Sequence, residues 1–65
     1  MKFKEYDTVK IIRNCGKGIN KGEIGAIIMV FEEPQEAYEV EILDVDGNTK
    51  VQSVFYSDDL ELVNI

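Results

Sequence analysis

The sequence predicts an all-β domain: a small five-stranded, strongly bent antiparallel barrel with one short helical turn before the last strand. Three observations lead there. Apolar residues recur at every second position and not every 3.6. No stretch carries the stripe of an amphipathic helix. The apolar runs are short, and glycine-, proline- and aspartate-rich breaks divide them.

The elements follow in order. "DTVKIIR" (7–13) alternates, with Val9 and Ile11 on one face and Lys10 and Ile12 on the other. "NCGKGINKG" (14–22) reads as a mobile loop. "EIGAIIMVF" (23–31) is apolar on both faces, which predicts a long strand serving two sheets, with Gly25 permitting the bend. "EEPQE" (32–36) is a turn with Pro34 at its second position. "AYEVEIL" (37–43) sends Tyr38, Val40 and Ile42 one way, Glu39 and Glu41 the other. "TKVQSVFY" (49–56) is rich in β-branched and aromatic residues. "SDDL" (57–60) is a helical turn capped by Ser57 or Asp58. "LELVNI" (60–65) ends with Leu60 and Leu62 in phase.

The segment "LDVDGNTKV" (43–51) invites a metal reading. A calcium loop of the EF-hand type needs glycine at position 6 and glutamate at position 12. Counted from Asp44, Gly47 stands at position 4 and Phe55 at position 12, between strands and not helices. Asp-Gly between two alternating runs is instead the signal of a two-residue hairpin turn, whose central residues tolerate positive φ.

Composition narrows the function. The chain has 65 residues, one domain's worth, and at this size leaves little room for a substrate pocket beside a core. It has no histidine and one cysteine, so the usual zinc sites, histidine-assisted triads and internal disulfides are not available to it. No cofactor motif is present, and a non-enzymatic protein is expected. The start "MKFKEYD" has no apolar h-region behind its lysines, and the apolar run 24–31 is too short to span a bilayer. A cytoplasmic protein with no membrane partner is therefore expected.

Other chemistry fares poorly. The glycines and lysines of "CGKGINKG" lack the Walker spacing and a βαβ setting, leaving weak anion contact through Lys17 and Lys21. Cys15 lies between Arg13 and Lys17 but has no base or second thiol to work with. Glu32-Glu33 and Asp58-Asp59 are adjacent pairs on turns, not carboxylates facing each other across a cleft. Tyr6, Tyr38, Phe55 and Tyr56 could line a peptide groove, but core packing is the favoured assignment.

Charge carries the functional signal. Residues 1–22 hold six Lys/Arg and two Asp/Glu, a net +4; residues 23–65 hold one Lys and eleven Asp/Glu, a net −10. An acidic field of this size suits a basic partner and opposes nucleic acid.

The segments "YDTVKII", "KGEIGAIIMVF", "AYEVEILDVDGNT" and "SDDLELV" together resemble the domain-of-unknown-function 4926 type family of small bacterial domains, from Tyr6 to Val63. The resemblance implies a Src-homology-3-like barrel. Its K-G-x-x-G turn also looks like that of KOW modules in ribosomal and transcription proteins. Members are commonly encoded beside candidate toxins, which implies an immunity or antitoxin role. The family brings no catalytic residues, and the aromatic peptide-binding motif of signalling Src-homology-3 domains is missing.

The function expected is an immunity-type binding protein that neutralises a cognate basic toxin, such as a nuclease, by acidic occlusion of its active site. Glu32, Glu33, Glu36, Asp44, Asp46, Asp58 and Asp59 are the candidate partner-binding residues, all on loops or turns. An RNA-binding KOW-like module would instead use Lys10, Arg13, Lys17 and Lys21. An assembly module would pair an exposed strand edge with its copy in a homodimer.

Overall fold

The computed structural model describes residues 2–16 and 18–63. Alternating apolar residues build five strands: β1 (Thr8–Ile11), β2 (Ile24–Phe31), β3 (Ala37–Leu43), β4 (Thr49–Tyr56) and β5 (Leu60–Leu62), with a 3-10 turn at Ser57–Asp59. All pairings are antiparallel, in one sheet ordered β4-β3-β2-β1-β5. Among the described residues no ladder joins β4 to β5, so hydrogen bonds do not close the bent sheet. The all-β expectation holds, as does the short helical turn before the last strand.

Register sorts side chains by face. Gly25–Ile42–Val51, Ile27–Val40–Ser53 and Val30–Tyr38–Phe55 line up across β2, β3 and β4 on the inner side. Together with Val9, Ile11 and Leu60, the large members of these rows form the hydrophobic core. Phe3 joins it and meets Tyr38 edge-on, with ring centroids 5.3 Å apart. The alternate rows, Ala26–Glu41–Gln52, Met29–Glu39–Val54 and Phe31–Ala37–Tyr56, form the outer side.

Several local expectations change. β2 does not serve two sheets; its second apolar face is the outer side of the one sheet, where Met29 is 49% exposed. Its bend comes from a register shift between Ile27 and Met29 that leaves Ile28 as the extra residue. Gly25 has a different task. A Cβ there would stand 2.6 Å from the Glu41 carbonyl oxygen and 2.8 Å from Val40 Cγ1, so glycine lets β2 and β3 approach.

The Asp-Gly hairpin exists, but not as a two-residue turn. Gly47 N–H donates to the Asp44 carbonyl at 3.0 Å, and Asp44 N–H donates to Asn48 O at 2.8 Å. Only Gly47 of this loop takes positive φ, +85°, giving a longer loop with a glycine bulge. Asp44 Oδ1 accepts from the N–H groups of Asp46 and Asn48 at 2.9 and 3.0 Å. Its carboxylate thus organises the corner.

The 3-10 turn is entered from Tyr56, not capped by Ser57 or Asp58. Tyr56 N–H donates to Asp59 Oδ2 at 3.0 Å, a partner reaching back from inside the turn. Leu60 is buried as its phase implies, but Leu62 is 43% exposed because β5 is a sheet edge. Asn64 and Ile65 lie outside the described residues.

The glycine-rich loop is pinned to the body. Ile19 is 3% exposed within the core, and its N–H bonds Gly16 O at 3.0 Å. Gly22 N–H donates to Ile11 O at 2.7 Å, and Ile11 N–H donates to Glu23 O at 2.8 Å. At the start of the chain, Tyr6 has φ +70°, the one non-glycine at positive φ among the described residues. Its N–H to Ile27 O, at 2.7 Å, holds that conformation.

Candidate functional site

Strand register decides which of the predicted acidic residues meet. Phe31 pairs with Ala37, and Ala37 with Tyr56, so the turn after β2 and the 3-10 turn after β4 leave the sheet at the same end. Glu32, Glu33 and Glu36 therefore share that end with Asp58 and Asp59. Asp44 and Asp46 sit on the hairpin at the opposite end of β3, apart from the others.

Beside the turn after β2 lies a groove of about 350 Å³ lined by Phe31, Glu33, Pro34, Gln35, Ala37, Val54 and Tyr56. The Glu33–Pro34 peptide at its rim is cis. Tyr56 and Val54 also border a second hollow of about 320 Å³, whose remaining walls are Arg13, Asn14, Cys15, Phe55 and Asp59. This end combines an apolar floor with a carboxylate rim. It can seat an apolar group while attracting positive charge.

The carboxylates here differ in how they are held. Glu32, Glu33 and Asp58 are exposed. Asp59 is tied to Tyr56 N–H. Glu36 accepts the Tyr38 hydroxyl and, at 3.2 Å, the Lys2 N–H. The Tyr38 hydroxyl also accepts Phe3 N–H at 3.2 Å, so Glu36 and Tyr38 together fasten the N-terminal segment across the core.

That latch shifts both groups. The Tyr38 hydroxyl, then the Lys2 N–H, hold Glu36 below the ordinary carboxylate value of 4.5. Burial, then the hydrogen bond to Glu36, raises Tyr38. A carboxylate with a depressed folded pKa stabilises above its unfolded value, and that contribution is lost as pH falls through the folded one. Glu36→Gln is therefore expected to destabilise at neutral pH, with the gap to wild type closing below about pH 4.5. Denaturation midpoints across an acid series measure it. A gap that stays constant down to strong acid contradicts the latch.

The cations are engaged or dispersed. Lys10 Nζ lies 3.5 Å from Glu61, Lys50 2.6 Å from Glu23 and Lys4 3.8 Å from Asp7. The Lys50 hydrogen bond, with Asn20 N–H second, keeps Glu23 below its ordinary value. Of these pairs, Lys10–Glu61 joins the basic first part of the chain to its acidic remainder. Arg13 and Lys21 are exposed, and Lys17 lies outside the described residues. The Cys15 thiol is half-buried, with Sγ 3.4 Å from Arg13 O.

The aromatic assignment divides. Tyr38 and Phe55 are core residues, but Tyr56 is 49% and Tyr6 79% exposed. The loop-centred choice of site residues also passed over the groove floor and the outer sheet face. The available signal was β2 itself: a run apolar on both faces within a chain too small for two packed sheets.

Among the described residues no group of three or more His, Cys, Asp or Glu could hold a metal ion. No helix among them is long and apolar enough to cross a membrane. No curated protein and no solved structure matches the chain. A sequence-family match covers nearly the whole chain: residues 5–62 fit the family described as Domain of unknown function (DUF4926), and the chain belongs to it.

Proposed function

We propose that this domain is a non-catalytic binding protein whose acidic, apolar-floored end docks a basic protein partner, and that the partner is a toxin neutralised by occlusion. One observation carries the reading. Two turns distant in sequence bring Glu32, Glu33, Glu36, Asp58 and Asp59 to one end of the sheet, where Glu33 lines a groove with Phe31, Ala37, Val54 and Tyr56. Carboxylates on such a rim mimic phosphates, attract a cationic cleft over a distance and speed encounter. The apolar floor supplies the desolvated contact that holds the complex.

The test uses the basic protein recovered from the source cells by pull-down. Its association rate is expected to fall steeply from low to physiological ionic strength. Reversing Glu32, Glu33 and Asp58 to lysine should slow association by at least about tenfold without unfolding the domain, since these side chains are exposed. Arg13→Ala and Lys21→Ala should change it little. Co-expression should restore growth to cells producing the partner. The proposal fails if the lysine reversals leave the rate unchanged while the cation deletions abolish binding, the pattern of an RNA-type contact.

A further inference from the structure

We infer that Glu39, on the outer face of the sheet, anchors an arginine side chain of the basic partner, with the arginine's aliphatic stem lying over Met29 and Val54; this rests on the docking function proposed above and places its central contact. Register sets Met29, Glu39 and Val54 side by side across β2, β3 and β4. Met29 is 49% and Val54 37% exposed, so the carboxylate stands between two solvent-facing apolar groups. The next row, Phe31–Ala37–Tyr56, carries the apolar surface on into the groove.

The carboxylate is positioned in advance. Gln52 Nε2 donates to Glu39 Oε2, and beside it Thr49 Oγ1 donates to Glu41 Oε2 at 2.9 Å. No Lys or Arg occurs in these three rows, and Lys50, farther along β4, is engaged by Glu23. Among the described residues the ion-paired lysines, Lys4, Lys10 and Lys50, meet Asp7, Glu61 and Glu23, whereas Glu39 takes a neutral amide donor. A purely apolar occupant would strip water from Glu39 and give nothing back. A strongly hydrated polar occupant would waste Met29 and Val54. Arginine satisfies both demands, apolar along its stem and a planar double donor at its head.

The experiment titrates isotope-labelled protein with two acetylated, amidated peptides, one alternating arginine with leucine and one alternating arginine with serine, followed by amide chemical shifts. The arginine–leucine peptide should bind more tightly and move the amides of Met29, Glu39, Val54 and Tyr56. Glu39→Gln, which keeps an acceptor for Gln52, should weaken it about tenfold. Outer-face shifts unaffected by Glu39→Gln overturn the anchor. Equal affinity for both peptides, with shifts confined to Glu32, Glu33 and Asp58, overturns it too while sparing the acidic docking end. No binding of either peptide at millimolar concentration overturns both.

Discussion

Gly25→Ala is expected to destabilise the domain by about 2–4 kcal/mol, a large share of the few kcal/mol available to a chain of this size. The added methyl would stand 2.6 Å from the Glu41 carbonyl oxygen, a backbone atom of the neighbouring strand β3 that no rotamer change can move aside. Relief requires β2 and β3 to separate, and this pair shares one of the two most extensive ladders of the sheet. Urea unfolding followed by circular dichroism measures the effect. A variant within about 0.5 kcal/mol of wild type would mean that the strands do not approach as described.

Ile19→Ala ranks beside it, at about 2–5 kcal/mol, in the range of buried isoleucine truncations. The side chain is 3% exposed although it lies within "CGKGINKG", a segment that reads as loop by every compositional sign. If the glycines around it merely covered the surface, the substitution would be nearly silent. A full core penalty, read from the same unfolding curves, shows the loop to be a pinned part of the packed core. A change below about 0.5 kcal/mol refutes that.

These two residues show where sequence reading succeeds and stops. Alternation identified β1 and β3 because each has a buried side with a period of two, and β-branched and aromatic content identified β4. It named Val9, Ile11, Tyr38, Val40 and Ile42 as sharing faces, and all are core. Ile19 escaped because one isolated apolar residue among glycines has no period. The role of Gly25 escaped because a close approach is a property of two strands, not one. The hairpin at Asp44–Asn48 was legible in kind but not in length, since Asp-Gly serves both short turns and glycine-bulge turns.

The site divides in the same way. The acidic turns were visible as composition, yet only pairing through Ala37 separates Glu32, Glu33, Glu36, Asp58 and Asp59 from Asp44 and Asp46. Glu39 looked like the ordinary polar side of a strand. Its setting between Met29 and Val54 depends on the register shift at Ile28, which the sequence does not announce.

The hydrogen bonds to the acidic side chains have a consequence for the entropy of association. Glu36, Glu39 and Asp59 are already restrained by Tyr38, Gln52 and Tyr56, so a partner that meets them freezes little additional rotamer freedom. Glu32, Glu33 and Asp58 are exposed and lose more on being ordered. The restrained carboxylates thus determine the geometry of the bound state at low entropic cost. The exposed ones act chiefly beforehand, drawing the partner in while still able to move.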